Sequence, residues 1–209
     1  LTPRYGTARH RLATHLAHDA RFDEALEQIE AARRLDPLSD IVNTAAGAVR
    51  YFARDYDGAA AEYRSVLDLR PDFALAWALL GRVQLVDGDV GPAVASLEHA
   101  VELSGGDPSY QAVMATALAV AGRVEEARLM ADEVRRPYPD GYVPYCELAS
   151  AYLALGDEDQ ALELFEHAWE QRDPALKHIG VEPLYDAIRG HPDFVDLMRR
   201  AGFDTEPAG

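Results

Sequence analysis

The sequence predicts an all-α solenoid in which helical hairpins stack on one another and a helical cap closes the C-terminal end. Three observations support this fold: a 34-residue internal repeat, apolar residues at helical spacing within each repeat, and an apolar tail after the last repeat. Five units follow one another without a gap, at residues 6–39, 40–73, 74–107, 108–141 and 142–175. We expect residues 1–5 to be the remnant of an upstream linker, residues 176–203 to form capping helices and residues 204–209 to be a flexible tail.

The repeat is visible as two columns of small residues, which recur at a fixed period. One column holds an alanine in every unit: Ala25, Ala59, Ala93, Ala127 and Ala161. The other column holds glycine or alanine: Ala13, Gly47, Gly81, Ala115 and Ala149. Small side chains allow two helices to approach closely, so we expect Gly81 and Ala93 to face each other where the helices of the third hairpin cross.

Each unit contains two stretches in which apolar residues follow a helical period rather than alternation. In the third unit, Leu80 and Val83 share one face of the first stretch, and Ala93 and Leu97 share a face of the second. Gly88 lies between them and can adopt the left-handed backbone that ends a helix. We expect ten helices, near residues 6–18, 22–34, 40–52, 56–68, 74–86, 90–103, 108–120, 124–136, 142–154 and 158–171.

The composition argues against several classes of protein. The 209 residues contain 20 Lys and Arg against 36 Asp and Glu, a formal net charge of −16 at pH 7. Nucleic acids and anionic membranes both require clustered basic charge, so we expect neither as a partner of this region. A hydrophobic content of 48% excludes wholesale disorder, and a single cysteine excludes a disulfide scaffold. No apolar run reaches the roughly 18–20 residues of a membrane span, and we expect a cytoplasmic location.

The sequence carries no phosphate-binding loop, dinucleotide-binding glycine pattern or nucleophile elbow. The nearest candidates for a metal site are His15 and His18, whose spacing places two imidazoles on one helix face, with Asp19 or Asp23 as a third ligand. We favour a hydrated surface of the terminal repeat as the role of these residues. We therefore predict no catalytic residue, no metal site and no cofactor.

Cys146 and the acidic run at residues 157–159 each have a chemical and a structural interpretation. A nucleophilic Cys146 would need a base, and no histidine lies near it in the sequence, so we favour a small, partly buried helix residue. The acidic run begins a predicted helix, where negative charge complements the helix dipole. Consecutive helical residues point in different directions, which argues against a calcium site.

The hairpin unit resembles the tetratricopeptide repeat (TPR), a helix-turn-helix unit of 34 residues. The third unit carries Trp77-x2-Leu80-Gly81 and then Ala93-x3-Leu97. The fifth unit carries Tyr145-x2-Leu148-Ala149-x2-Tyr152 and then Ala161-x3-Phe165. The resemblance implies a right-handed superhelical solenoid, a fold that hosts many unrelated functions.

A narrower resemblance covers the two ends of the chain. Residues 22–39 and residues 182–203 are similar to the TPR region of large bacterial signalling proteins. In that family the array follows a winged-helix, Ser/Thr kinase or nucleotide-cyclase domain, and such a tail closes the array. The resemblance implies a regulatory or adaptor region. We expect the tail to cover the outer face of the fifth hairpin with six apolar residues, Leu184, Tyr185, Ile188, Phe194, Leu197 and Met198.

The family resemblance also implies which residues line a concave groove. Four positions of each first helix face the groove in the family. From the residues at these positions we select eleven as the expected partner-binding set: Thr44, Ala48, Tyr51, Leu75, Ala78, Arg82, Leu85, Thr116, Cys146, Ser150 and Leu153. The predicted groove is apolar, has small side chains and carries one conspicuous cation, Arg82. Such a groove favours an amphipathic helix or an extended apolar segment as ligand.

We therefore expect a non-catalytic protein–protein interaction scaffold, the regulatory or assembly region of a larger bacterial signalling protein, with a protein or peptide as partner. The alternative is structural self-association, in which the array forms a homodimer without a separate ligand. In that case the curvature of the array or a second copy fills the groove.

Overall fold

The computed structural model describes residues 3–136 and 141–203, with side chains from residue 6 onward. Ten helices in these residues form five successive hairpins: α1 (Pro3–His18) with α2 (Phe22–Arg33), α3 (Asp40–Phe52) with α4 (Tyr56–Leu69), α5 (Ala74–Asp87) with α6 (Val90–Leu103), α7 (Pro108–Val120) with α8 (Val124–Val134), and α9 (Tyr145–Ala154) with α10 (Glu158–Gln171). Two short 3-10 helices follow, η1 (Pro174–His178) and η2 (Pro183–Ile188), and then α11 (Pro192–Arg200).

The hairpins stack into the expected solenoid, and their first helices form the inner layer. Each of the ten helices packs on the next one in the chain, and α1, α3, α5, α7 and α9 also pack on one another in that order. Within the described residues the second helices are not paired to this extent. The hairpins therefore spread apart on the side of the second helices, which makes the layer of first helices the concave side.

The helix boundaries lie close to the predicted ones, with differences at two helices. Helix α1 begins at Pro3, inside the stretch 1–5 that was expected to be a linker. Helix α9 begins at Tyr145 rather than at residue 142, because Pro144 has no amide hydrogen and disfavours the α conformation of the residue before it. The flexible tail expected at residues 204–209 falls outside the described residues.

The turn inside every hairpin uses a left-handed residue at the same position of the repeat. Gly88, Gly122 and Gly156 take this conformation at no steric cost. In the first two hairpins the position is held by Ala20 and Arg54, with φ of 57° and 65°. These side chains make the left-handed backbone less favourable, so the surrounding hairpin must hold it in place.

The column of small residues sets the distance between the helices of a hairpin. A Cβ atom on Gly81 would lie 2.7 Å from Leu97 Cγ and 3.1 Å from the carbonyl oxygen of Ala93. Gly47 meets the ring of Tyr63 in the same way one repeat earlier. The expected approach of Gly81 and Ala93 is therefore confirmed, and Leu97 occupies the space left by the missing side chain.

The C-terminal residues cover the outer face of the fifth hairpin. Phe194, Leu197 and Met198 of α11 are buried in one cluster with Leu164 and Phe165 of α10. The ring centroid of Phe165 lies 5.0 Å from that of Phe194, in an edge-to-face arrangement. Tyr185 and Ile188 are buried in the same cluster, and Leu184 is packed against it, so all six residues expected to cover this hairpin contact its core. We propose that residues 176–203 act as the cap of the array, because the fifth hairpin has no sixth hairpin to bury this face.

Gly81→Val is expected to destabilise the protein by about 1–3 kcal/mol, because the buried Leu97 side chain cannot withdraw from the added atoms. Gly91→Ala in α6 is the matched control, since a Cβ there meets nothing within 4 Å. This control should be neutral or stabilising by up to about 1 kcal/mol. Urea unfolding followed by circular dichroism measures both changes, and equal stability of the two variants would contradict the close helix crossing.

Candidate functional site

The concave side of the solenoid is the candidate site, and most of the predicted groove residues are buried there. Leu75 remains exposed, and Ala48, Arg82 and Leu153 are half-buried. The remaining predicted residues are buried: Thr44, Tyr51, Ala78, Leu85, Thr116, Cys146 and Ser150. An open groove would leave its lining accessible to solvent, so something in the molecule covers it.

The cover comes largely from a C-terminal stretch, residues 174–190, which we call the groove segment. It contains η1 and η2, and both pack against α9. Its apolar residues are buried in the clusters of several hairpins. Val181 joins Tyr51 and Leu80, whereas Leu184 is partly buried against the cluster that contains Leu85. The groove segment therefore runs across first helices of the array as a bound peptide would.

One carboxylate of the groove segment enters a charged centre on the concave side. Glu182 is 2% exposed, and the hydroxyl of Tyr51 donates a hydrogen bond to its Oε1 atom. The guanidinium of Arg82 lies 3.7 Å from Glu182 Oε2 and 4.0 Å from Glu147 Oε1. Arg82 is thus the cation shared by two carboxylates, one from α9 and one from the groove segment.

The pKa values in this centre follow from burial and from the neighbouring charges. Burial raises the pKa of Glu147 from 4.5 to about 7, with a smaller contribution from Asp173, while Arg82 opposes the shift. Burial also raises the pKa of the Tyr51 hydroxyl well above its ordinary value, so this group stays a hydrogen-bond donor. Burial lowers the pKa of the Arg82 guanidinium, but Glu182, Tyr51 and Glu147 outweigh it and raise that pKa.

Asp173 ties the start of the groove segment to the array. Its carboxylate accepts hydrogen bonds from the main-chain amides of Cys146 at 3.2 Å and of Ala175 at 2.9 Å. The hydroxyl of Tyr185 donates to the carbonyl oxygen of Cys146 at 3.1 Å. Burial raises the pKa of the Cys146 thiol well above its ordinary value, which makes it a poor nucleophile.

A second anchor of the groove segment is aromatic. The ring of His178 stacks on Phe52 with 4.9 Å between centroids and meets the ring of His18 at 4.6 Å. Burial, together with His18, Lys177 and Arg82, lowers the pKa of His178 to about 3. Neutral His178 therefore packs as an apolar ring between α1 and α3.

The histidines of α1 do not form a metal centre in the part of the chain that the structure describes. The rings of His15 and His18 are 6.2 Å apart, and no group of three or more His, Cys, Asp or Glu side chains in those residues could hold a metal ion. His18 instead contacts the groove segment through His178.

Two predicted groove residues, Thr116 and Ser150, meet each other directly. Their hydroxyls lie 2.9 Å apart, and each also lies within hydrogen-bond distance of a main-chain carbonyl of its own helix. Thr44 likewise donates to the carbonyl of Asp40. These hydroxyl groups satisfy their hydrogen bonds within the array and are not held ready for a ligand.

Sequence reasoning missed the residues that hold the groove segment, chiefly Glu147, Glu182 and His178. A signal for Glu147 exists, because its column of the repeat holds Ala45, Leu79 and Val113 in the middle three hairpins, and the other charged member, Arg11, is exposed in the first hairpin. A charged residue in an apolar column indicates a buried charge that needs a partner. Glu182 and His178 lie outside the repeats, so no column describes them.

Comparisons with known proteins agree with this architecture. Residues 53–117 and residues 143–171 each match a family model of the tetratricopeptide repeat. Together with the helical stack, these matches define the fold as a TPR solenoid, a class of protein that generally mediates protein–protein interaction and is typically non-catalytic. Among the described residues, no helix is both long enough and apolar enough to cross a bilayer.

The individual relatives either match only part of this chain or have low sequence identity to it. The TPR repeat-containing thioredoxin TTL4 of Arabidopsis thaliana is 37% identical over 81 residues, which are 39% of this chain and only 12% of that protein. A thermophilic TPR protein of Thermus thermophilus superposes with a TM-score of 0.65 at 18% identity, covering 94% of this chain and 96% of that one. A TPR protein of Parabacteroides merdae gives a TM-score of 0.63 at 14% identity, covering 95% and 79%. These structures show the shared fold.

Glu147→Gln is expected to change how stability depends on pH. The carboxyl of Glu147 keeps its proton up to about pH 7 in the folded protein but loses it near pH 4.5 when unfolded. The wild-type protein should therefore lose stability relative to the variant as pH rises from 4.5 to 7, at most about 1.4 kcal/mol per pH unit. Denaturant unfolding at pH 4.5, 6 and 7.5 measures this difference, on the order of 1–3 kcal/mol in total. Parallel pH profiles of the two proteins would contradict it.

Proposed function

We propose that the protein is a non-catalytic interaction scaffold that binds an apolar peptide or helix of a partner along its concave groove. The observation that carries this proposal is the groove segment, because the concave side already holds a peptide-like stretch of chain. Apolar burial contributes along its length, and Glu182 fixes its position at one point. A partner segment of similar shape and chemistry can use the same surface.

The lining of the groove suits such a ligand. The groove segment buries Ile179, Tyr185 and Ile188 in the cluster that contains Leu148 and Phe165 of the fifth hairpin. Val181 joins Tyr51 and Leu80, and Leu184 packs against the cluster that contains Leu85. Extended or short helical segments obtain affinity from pockets for alternate side chains and specificity from a few polar contacts. Here the polar contacts come from Tyr51 and Arg82.

The setting we propose is the regulatory or assembly region of a larger bacterial signalling protein. This part of the proposal rests on the resemblance of residues 22–39 and 182–203 to the TPR regions of such proteins. The fold supports a non-catalytic role, and the buried Cys146 thiol is poorly suited to nucleophilic chemistry. In this setting an upstream domain would carry the activity, and the solenoid would bind the partner protein.

A second candidate function is self-association, and one feature of the surface favours it. Leu35, Leu69 and Leu103 occupy the same position of three successive repeats, and they are 43%, 65% and 46% exposed. We call these leucines, which lie at or just after the ends of α2, α4 and α6, the leucine ladder. Exposed apolar residues that together form a patch often mark a contact with another protein.

Leu75→Asp is expected to weaken peptide binding at least tenfold, because Leu75 is the exposed apolar residue among the predicted groove residues. Peptides selected from a displayed random library against the whole chain provide the ligands, and fluorescence anisotropy measures their affinity. Leu129→Asp on α8 is the matched control, since this leucine is 70% exposed and belongs to a second helix. Selected peptides that bind both variants as well as the wild type would place the site elsewhere.

We expect the chain to remain monomeric from nanomolar to high micromolar concentration in sedimentation velocity experiments. The net charge of −16 opposes association of two copies at low salt. Leu69→Asp serves as the comparison, because it interrupts the leucine ladder at its most exposed member. A dimer that persists at nanomolar concentration and dissociates on this substitution would instead support self-association.

A further inference from the structure

The charged centre can hold one carboxylate at the position of Glu182, but it cannot hold a second one beside it. Tyr51 donates to Glu182, and the Arg82 guanidinium already lies between Glu182 and Glu147. A carboxylate from outside would meet the negative charge of Glu182, and above about pH 7 also that of Glu147, around a single cation, which is unfavourable in a buried site. A carboxylate from outside can therefore enter this centre only when Glu182 leaves it.

Departure of Glu182 without a replacement is also unfavourable. Arg82 would lose its nearer carboxylate and keep Glu147 at 4.0 Å, while the hydroxyl of Tyr51 would lose its acceptor. A buried cation or hydroxyl group that loses its partner retains its desolvation penalty. The centre thus favours exchange of one carboxylate for another over an empty groove.

Several main-chain groups of the groove segment are satisfied within the segment itself, although its apolar residues Ile179, Tyr185 and Ile188 are buried in the cluster of the fifth hairpin. The amides of Val181 and Glu182 both donate to the carbonyl of His178. The guanidinium of Arg189 donates to the carbonyls of Gly180 and Glu182, and the amide of Leu184 donates to the side chain of Glu182. Glu182 and Asp186 of the segment contact side chains of the array, Tyr51, Arg82 and Arg54. Tyr185 donates to a main-chain group of the array, the carbonyl of Cys146.

The docked segment also leaves polar atoms without partners at its contact with the array. His178 Nδ1 of the segment, His18 Nε2 of α1 and Glu147 Oε2 of α9 are buried without a hydrogen bond. Such atoms cost free energy that is recovered when water reaches them. The ion pair of Arg54 with Asp186 is bidentate but exposed to solvent, which screens the attraction between the two charges. Apolar burial and the contacts of Glu182 therefore hold the segment in the groove and offset the cost of these unpaired polar atoms.

From these observations we propose that residues 174–190 are a replaceable internal ligand of the groove. The external partner presents an internal glutamate or aspartate side chain, flanked by apolar residues on both sides, to Tyr51 and Arg82 in place of Glu182. This inference rests on the proposed function and names the chemistry of its partner. The sequence around Glu182, Val181-Glu182-Pro183-Leu184, is the pattern that the partner imitates.

The internal ligand raises the threshold for partner binding. A tethered segment acts at an effective concentration on the order of millimolar, so it outcompetes a dilute peptide of equal contacts. Weakening its anchor raises the fraction of chains with a free groove and the apparent affinity by the same factor. The groove segment therefore sets how tightly a partner must bind before it is captured.

The test uses a fluorescein-labelled peptide with the sequence of residues 176–190 and the full chain in three forms: wild type, Glu182→Gln and Glu163→Gln. Glu163 lies exposed on α10 and serves as the matched control for removal of a carboxylate. We expect the peptide to bind the Glu182→Gln chain at least tenfold more tightly than the other two. A second peptide, with Gln in place of its own glutamate, should bind that chain at least tenfold more weakly than the first.

Amide hydrogen exchange shows whether the segment leaves the groove. We expect faster exchange across residues 176–190 in the Glu182→Gln chain, with unchanged exchange in α3 to α6. Asp186→Asn provides a second variant if Glu182→Gln fails to fold, because it weakens the pair with Arg54 and the pair with Arg189 within the segment but leaves the charged centre intact. It should shift exchange and peptide affinity in the same direction by a smaller factor.

The outcomes separate the internal-ligand proposal from the proposed function. Unchanged exchange in both variants, or equal affinity for the Glu and Gln peptides, would overturn the internal ligand with its carboxylate anchor. Library peptides that still depend on Leu75 would then leave the interaction scaffold standing. A released groove that binds neither the segment peptide nor any library peptide would overturn both proposals.

Discussion

Burial of the apolar face of one hairpin against its neighbour is the constraint on which the whole structure depends. A single hairpin cannot bury this face alone, so every unit relies on the next one, and the small-residue column sets how closely its two helices pack. The fifth hairpin has no successor, and α11 covers it with Phe194 and Leu197. The chain between α10 and α11 is the groove segment, so closing the stack and filling the groove are tasks of one continuous stretch.

The charged centre gives that stretch a defined position. Arg82 on α5, Glu147 on α9 and Glu182 in the groove segment come from three parts of the chain and meet within 4.0 Å. A buried ion cluster contributes less to stability than well-packed apolar residues of the same volume, because desolvation offsets the attraction between the charges. The ion cluster here fixes the position of the groove segment, since an apolar segment alone could shift along an apolar groove. Glu182 fixes the register, and in our proposal a carboxylate of a partner takes the same position.

The parts of the fold that repeat along the chain could be predicted from the sequence. The period predicted five hairpins, and the helices lie within a few residues of their predicted places except at α1 and α9, where Pro3 and Pro144 mark starts that the period does not contain. Gly81 packs as its column indicates. The concave positions taken from the family include Tyr51, Arg82 and Cys146, which the structure places near one another around Glu182 and Tyr185. Their role toward an external partner stays a prediction.

The sequence by itself determined the hairpins, because helix period, turn glycines and small-residue columns act over a few residues or one repeat. Only the tertiary structure decided what occupies the concave side. Tyr51 and Glu182 are 131 residues apart in the chain, and Arg54 and Asp186 are 132 apart. These contacts form because the curvature of five stacked hairpins brings first helices from both ends of the array within reach of one tail. The tail has no period of its own, so no local pattern could predict that His178 reaches α1 or that Glu182 enters the groove.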